Sequence, residues 1–169
     1  MLTSDMQPRG KTLILGVGNE LLQDEGLGIH AVRLLRSYAL PPDVEVLEGG
    51  TAGPQLLSLL DGVDRLIVLD CIEAKAEPGS IFRFKPDDLG LFPREFMASI
   101  HDVGLLEVLQ IADFLGQQPN TEIFAMQPAS IAWGLEPSAV ILPHLRQLTD
   151  FVYAEVCRGE NTHEQSKPA

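Results

Sequence analysis

The sequence is short of bases, cysteines and long apolar runs, and each shortage removes a class of protein. Only 12 Lys and Arg stand against 24 Asp and Glu in 169 residues, a formal net charge of −12. A nucleic-acid binder needs a basic face to displace counterions from phosphate, so no nucleic-acid partner is expected. The two cysteines, Cys71 and Cys157, form no Cys-x-x-Cys pair, which excludes a disulfide scaffold and a zinc ribbon. No apolar run approaches the roughly 20 residues that cross a bilayer, so no membrane association is expected. Residues 1–11 are polar and lack the apolar stretch of a signal peptide, which makes the cytoplasm the default location. A Gly-x-Ser-x-Gly elbow and a His-Glu-x-x-His pair are both missing, so neither serine hydrolysis nor a short zinc signature finds support. Repeats, linkers and low-complexity segments are likewise absent.

What remains is an apolar content of 45% with a mean hydropathy of +0.09, the composition of one compact domain. Apolar segments alternate between two periods. Residues 12–17, 44–48, 65–70, 80–84 and 122–126 read as strands. Residues 26–38, 54–60, 102–115 and 137–156 read as helices, and residues 85–99 and 127–137 as loops. The domain is expected over residues 12–157, between a polar N-terminal segment 1–11 and a polar tail 158–169. Strands alternating with helices imply an α/β fold in which a mainly parallel sheet is covered on both faces. Cys71, after the strand 65–70, is expected as a core thiol.

The densest chemistry lies in Gly16-Val17-Gly18-Asn19-Glu20-Leu21-Leu22-Gln23-Asp24-Glu25-Gly26-Leu27-Gly28. This loop leaves the first strand and opens a helix, the place where open α/β sheets put their ligands. It carries acids and no lysine, which suits a cation or a water better than a phosphate. Glu25, Asp70 at the end of its strand, and His101 before the helix 102–115 can converge on one rim of a parallel sheet. One imidazole and two carboxylates suit a divalent ion. The plainer reading also stands: Glu25 favoured by a helix N-terminus, Asp70 a turn residue, His101 a neighbour of a cap. Asp24 reads as a helix cap, or as a residue behind the ligands, with the cap preferred. A dinucleotide site is disfavoured, because Gly16-x-Gly18 lacks its third glycine and two acids would face a pyrophosphate; Glu48 is the acid that reading would need. Trp133 is balanced between core and contact surface, and His30, His144 and His163 read as surface or packing residues.

The joint pattern resembles the hydrogenase maturation endopeptidases, which trim the C-terminus of nickel–iron hydrogenase large subunits. The resemblance rests on the glycine–acid loop, on Glu48-Gly49-Gly50-Thr51-Ala52-Gly53, and on Leu66-Ile67-Val68-Leu69-Asp70. It continues through His101 and the Leu105-x-Glu107-Val108-Leu109 run to Gln127-Pro128, Trp133-Gly134-Leu135 and Ser138. Glu48 departs from the Asp common at that place. The resemblance implies a single-domain three-layer α/β/α sandwich with a mainly parallel sheet of about five strands. It implies that Glu25, Asp70 and His101 are both metal ligands and the catalytic set. The metal it implies is nickel, brought by the large-subunit precursor, with none bound at rest. A monomer is expected. A non-enzymatic nickel and precursor chaperone, and more remotely a nucleotide-binding protein, are the competing classes.

Overall fold

The computed structural model describes residues 10–51, 53–91 and 104–158. Five strands form one sheet: β1 (Lys11–Val17), β2 (Val44–Gly50), β3 (Val63–Cys71), β4 (Ile81–Phe84) and β5 (Asn120–Met126). The order is β2-β1-β3-β5-β4, parallel throughout except for β4, which runs antiparallel to β5 at the edge. Three α-helices belong to the described residues: α1 (Leu27–Leu35), α2 (Leu105–Phe114) and α3 (Leu142–Arg158).

The alternation of side chains along each strand builds two cores. On one face, Leu27, Ala31, Val32 and Leu35 of α1 and Leu145, Leu148 and Val152 of α3 pack on Ile14, Ile67, Leu69 and Phe124. On the other face, Leu56, Leu60, Leu105, Val108 and Ala112 pack on Leu13, Leu15, Leu66, Val68 and Ile123. The three-layer α/β/α sandwich follows, because β1 and β3 are apolar on both sides and need cover on both.

The helix expected over 54–60 is a 3-10 segment, Pro54–Leu60. A second 3-10 segment, Pro86–Leu91, lies inside the expected loop 85–99, whose residues from 92 on fall outside the described set. α2 begins at Leu105 behind Gly104, which takes a left-handed φ of +63°, so the helix does not run back through it. α2 also buries less than its apolar residues promise: Ile111 and Phe114 are exposed. α3 starts at Leu142, five residues later than expected, because Ser138 is occupied elsewhere, as described below.

Arg65 and Arg83 cross the outer part of β3, β4 and β5 to reach Glu122 and Glu155, with N–O distances of 2.7–3.1 Å. Burial opposes the Glu122 charge, but the Arg83 and Arg65 guanidiniums overcome it and hold the carboxyl below its ordinary value of 4.5. This contribution is full above about pH 4.5 and is lost as pH falls below it. Glu122→Gln is expected to lower stability by about 1 kcal/mol at pH 7. Denaturant titration at pH 7 and pH 3.5 checks it, since the difference from wild type should shrink in acid.

Candidate active site

The strand order reverses at β1: the chain leaves β1 for β2 on one side and returns to β3 on the other. The crevice at the carboxyl ends of β1 and β3 is therefore the topological switch point. The 3-10 turn Gln23–Gly26, which carries Glu25, packs at the end of β3, which carries Asp70.

Two glycines make this approach possible. Gly18 has φ +136°, and a Cβ there would lie 2.0 Å from the Glu25 carbonyl oxygen. A Cβ on Gly28 would lie 2.2 Å from the Leu69 carbonyl and 2.3 Å from that of Val17. Only bare backbone lets the turn and the first residues of α1 sit directly on β1 and β3.

Asp70 is 3% exposed, and its Oδ1 accepts the Cys71 backbone N–H at 2.7 Å. Burial pushes its carboxyl well above the usual range, the Cys71 N–H eases the charge in part, and the Glu25 charge pushes it further up. Glu25 is half-buried beside it. The two acids that the sequence separates by 45 positions thus act on one another across the switch point. Cys71 is buried as expected. Burial and the charges of Asp70, Glu25, Asp24 and Glu73 drive its thiol far above its ordinary range, so it stays protonated and is no nucleophile.

Asp24 does not cap a helix. Its side chain makes no cap bond to the turn or to α1. It is 0% exposed and gathers the loop 129–138 instead. Its Oδ2 accepts the backbone N–H of Ala129 and of Ser130, each at 2.9 Å, and the Ser138 hydroxyl at 2.7 Å. Its Oδ1 accepts the Ser138 N–H at 2.7 Å. Backbone bonds complete the clamp: Asp24 N–H to Ser130 O, Gln23 N–H to Gly134 O, and Gly134 N–H to Leu21 O. Gln23 sits within this clamp at φ +47°, a conformation that non-glycine residues rarely adopt.

Gln127 fixes the neighbouring rim. Buried at the end of β5, its Oε1 accepts the N–H groups of Ala74 and Ala76, and its Nε2 donates to Glu73 and to the Pro128 carbonyl. In the sequence Gln127, Pro128 and Ser138 are only parts of a pattern. Their work is to hold loops, and no local spacing announces it.

His101 lies outside the described residues, and so does its place relative to Glu25 and Asp70. Among the described residues, no group of three His, Cys, Asp or Glu could hold a metal ion. Glu48 is engaged by Arg33 and Arg36 at 2.8–2.9 Å, which takes away the acid that a ribose would need. Trp133 resolves to the surface at 80% exposure. His144 packs with its ring against Gly79.

The profile of the family described as hydrogenase maturation protease, HycI, matches residues 29–150. This chain belongs to the hydrogenase maturation protease family. It is similar to the hydrogenase 2 maturation protease of Escherichia coli K12, 38% identical over 146 residues, covering 82% of this chain and 88% of that protein. It is also similar to the hydrogenase expression/formation protein HupD of Bradyrhizobium diazoefficiens, 39% identical over 127 residues. That match covers 73% of this chain and 66% of HupD, so the chain spans just under two thirds of that relative's length. Among solved structures, the hydrogenase maturating endopeptidase HybD from E. coli superposes with a TM-score of 0.78 at 32% identity, over 88% of this chain and 93% of that one. The architecture expected from the strand–helix alternation is thus also that of the family.

Proposed function

We propose that this chain is an endopeptidase that removes the C-terminal extension from the large-subunit precursor of a nickel–iron hydrogenase once nickel is in place. The observation that carries this reading is the pairing of Glu25 with the buried Asp70 at the switch point. Two carboxylates that oppose one another's charge make a poor pair alone and a good pair around a divalent cation. Nickel belongs to the substrate here, and Glu25, Asp70 and His101 are its ligands on the enzyme. Two acids offset its charge and a neutral imidazole supplies a nitrogen donor. Gripping the ion fixes the adjoining peptide bond at the sheet edge, which is catalysis by positioning. A divalent ion there also polarises a carbonyl or acidifies a water. Requiring the ion makes metal loading the permission to cut.

The working unit is residues 12–157, acting as a monomer in the cytoplasm. Among the described residues no helix is long and apolar enough to cross a membrane.

The test is a processing assay with two precursors. Nickel-loaded precursor should lose its tail, nickel-free precursor should keep it, and His101→Ala should leave both intact. Equal cutting of nickel-free precursor would remove nickel from the mechanism and favour an ordinary peptidase. Wild-type protein that binds the nickel-loaded precursor and releases no peptide would favour the chaperone class.

A further inference from the structure

Loops at a sheet edge normally turn their large apolar residues inward, yet the segment 131–135 presents three of them to solvent. Ile131 is 58% exposed, Trp133 80% and Leu135 62%, and Leu21 across from them is 49% exposed. Their nearness follows from the backbone: Gly134 donates to the Leu21 carbonyl and accepts from the Gln23 N–H, 2.9 and 2.8 Å. Leu22 and Gly134 form a parallel bridge. The platform is therefore continuous with the turn that carries Glu25.

Both ends of its loop are pinned. Asp24, fully buried, draws four hydrogen bonds from Ala129, Ser130 and Ser138 onto its carboxylate. An apolar platform held in one conformation loses little freedom when something covers it. Exposed, clustered apolar side chains, with a tryptophan among them, are the composition of an interaction surface.

We propose that Leu21, Ile131, Trp133 and Leu135 form the docking platform for the polypeptide segment of the precursor that flanks the bond to be cut. The proposal rests on the processing function above and names where that substrate is gripped. Continuity selects the occupant: a chain laid on Trp133 and Leu135 is led directly onto the Glu25 turn, whereas a partner serving another purpose would block it. Charge narrows the chemistry further. The whole chain carries −12, Glu25 lies in the adjoining turn and Glu136 follows Leu135 directly, while Glu20 is already paired with Arg33 at 2.8 Å, so the segment it fits is apolar with basic rather than acidic flanks.

The experiment compares steady-state cutting of nickel-loaded precursor by wild type, Trp133→Ala, Leu135→Ala, the double variant, and Phe151→Ala. Phe151 is an exposed apolar residue of α3 and serves as the control. Both platform side chains are exposed, so thermal midpoints should stay at the wild-type value. Trp133→Ala is expected to raise KM by about tenfold with kcat within about twofold, and the double variant to raise it further. Trp133→Phe should restore most of the affinity, and Phe151→Ala should change neither constant. An unchanged KM in the double variant, with wild type active, overturns the platform and leaves the processing function standing. A wild-type protein that leaves nickel-loaded precursor uncut overturns both. A wild-type dimer in sedimentation that the double variant dissolves overturns the peptide occupant in favour of a second copy of this chain.

Discussion

Asp24→Asn is expected to unfold the protein at a markedly lower temperature and to abolish processing with it. The Asp24 carboxylate accepts four hydrogen bonds in full burial, three from backbone N–H groups and one from a hydroxyl. An asparagine has one acceptor oxygen, so whichever way its amide turns, an NH₂ faces at least one backbone N–H. Hydrogen bonds to a charged acceptor are worth about 1.5–3 kcal/mol each, and a buried donor left unmet adds a desolvation cost. A loss of about 3 kcal/mol is therefore a low figure, and in a chain of this size it corresponds to a fall in Tm of roughly 6–12 °C. The functional loss arises by a separate route. With the clamp gone, nothing compensates Gln23 at φ +47°, and the turn that bears Glu25 relaxes away from β3. Scanning calorimetry and the processing assay check the two effects. A Tm within about 2 °C of wild type would mean that these bonds contribute little net stability. Ser138→Ala, which removes only the hydroxyl bond, should produce a small fraction of the change.

Asp70→Asn should separate stability from activity, raising the first and destroying the second. The Asp70 carboxyl is raised well above its ordinary value of 3.8, chiefly by burial and further by the Glu25 charge. A raised native value means that the folded protein holds the proton over a range where the unfolded chain has released it. Stability is then greatest below about pH 3.8 and falls as pH rises toward the native value, above which the full cost of a buried charge is present. Asparagine carries no charge and retains an oxygen for the Cys71 N–H. Its advantage over wild type should be largest near pH 8 and should vanish near pH 4. Under the proposed mechanism the same change removes a nickel ligand. Cutting of nickel-loaded precursor should then drop by about three orders of magnitude, the scale of a positioned metal ion's contribution. Denaturant midpoints of the two proteins from pH 4 to 8, beside one processing assay, give both readings. Asp70→Asn protein that cuts at the wild-type rate would remove Asp70 from the mechanism. A midpoint difference independent of pH would mean that burial does not raise the Asp70 carboxyl.

Much of this was legible in the chain because it depends on short-range periodicity. The run Leu66-Ile67-Val68-Leu69 is the strongest strand signal in the chain, and it is β3, at the sheet's centre. The glycines at 16, 18 and 28 mark a backbone approach closer than any side chain allows, and that approach sets the acid turn on the strands. Glu25 and Asp70 stand out as candidates because one lies in the turn that follows β1 and the other near the end of β3, at the same edge of a parallel sheet.

Other features depended on partners far along the chain. Asp24 read as a cap because an acid before a helix usually is one, but its donors come from positions 129, 130 and 138. Drawing Ser138 into that clamp also delays α3 to Leu142. Trp133 has the same side chain whether buried or exposed, and only the bridge between Leu22 and Gly134 turns its loop outward beside the site.

The amino-acid sequence by itself determined the class of fold and the switch-point loop, and it offered Glu25 and Asp70 as candidates, since periodicity, glycine placement and strand ends are local properties. Tertiary structure alone decided how those acids feel one another, what the buried Asp24 holds, and which apolar residues face solvent. Those outcomes are set by burial and by hydrogen bonds between segments more than a hundred residues apart, and no window along the chain contains both ends of such a bond.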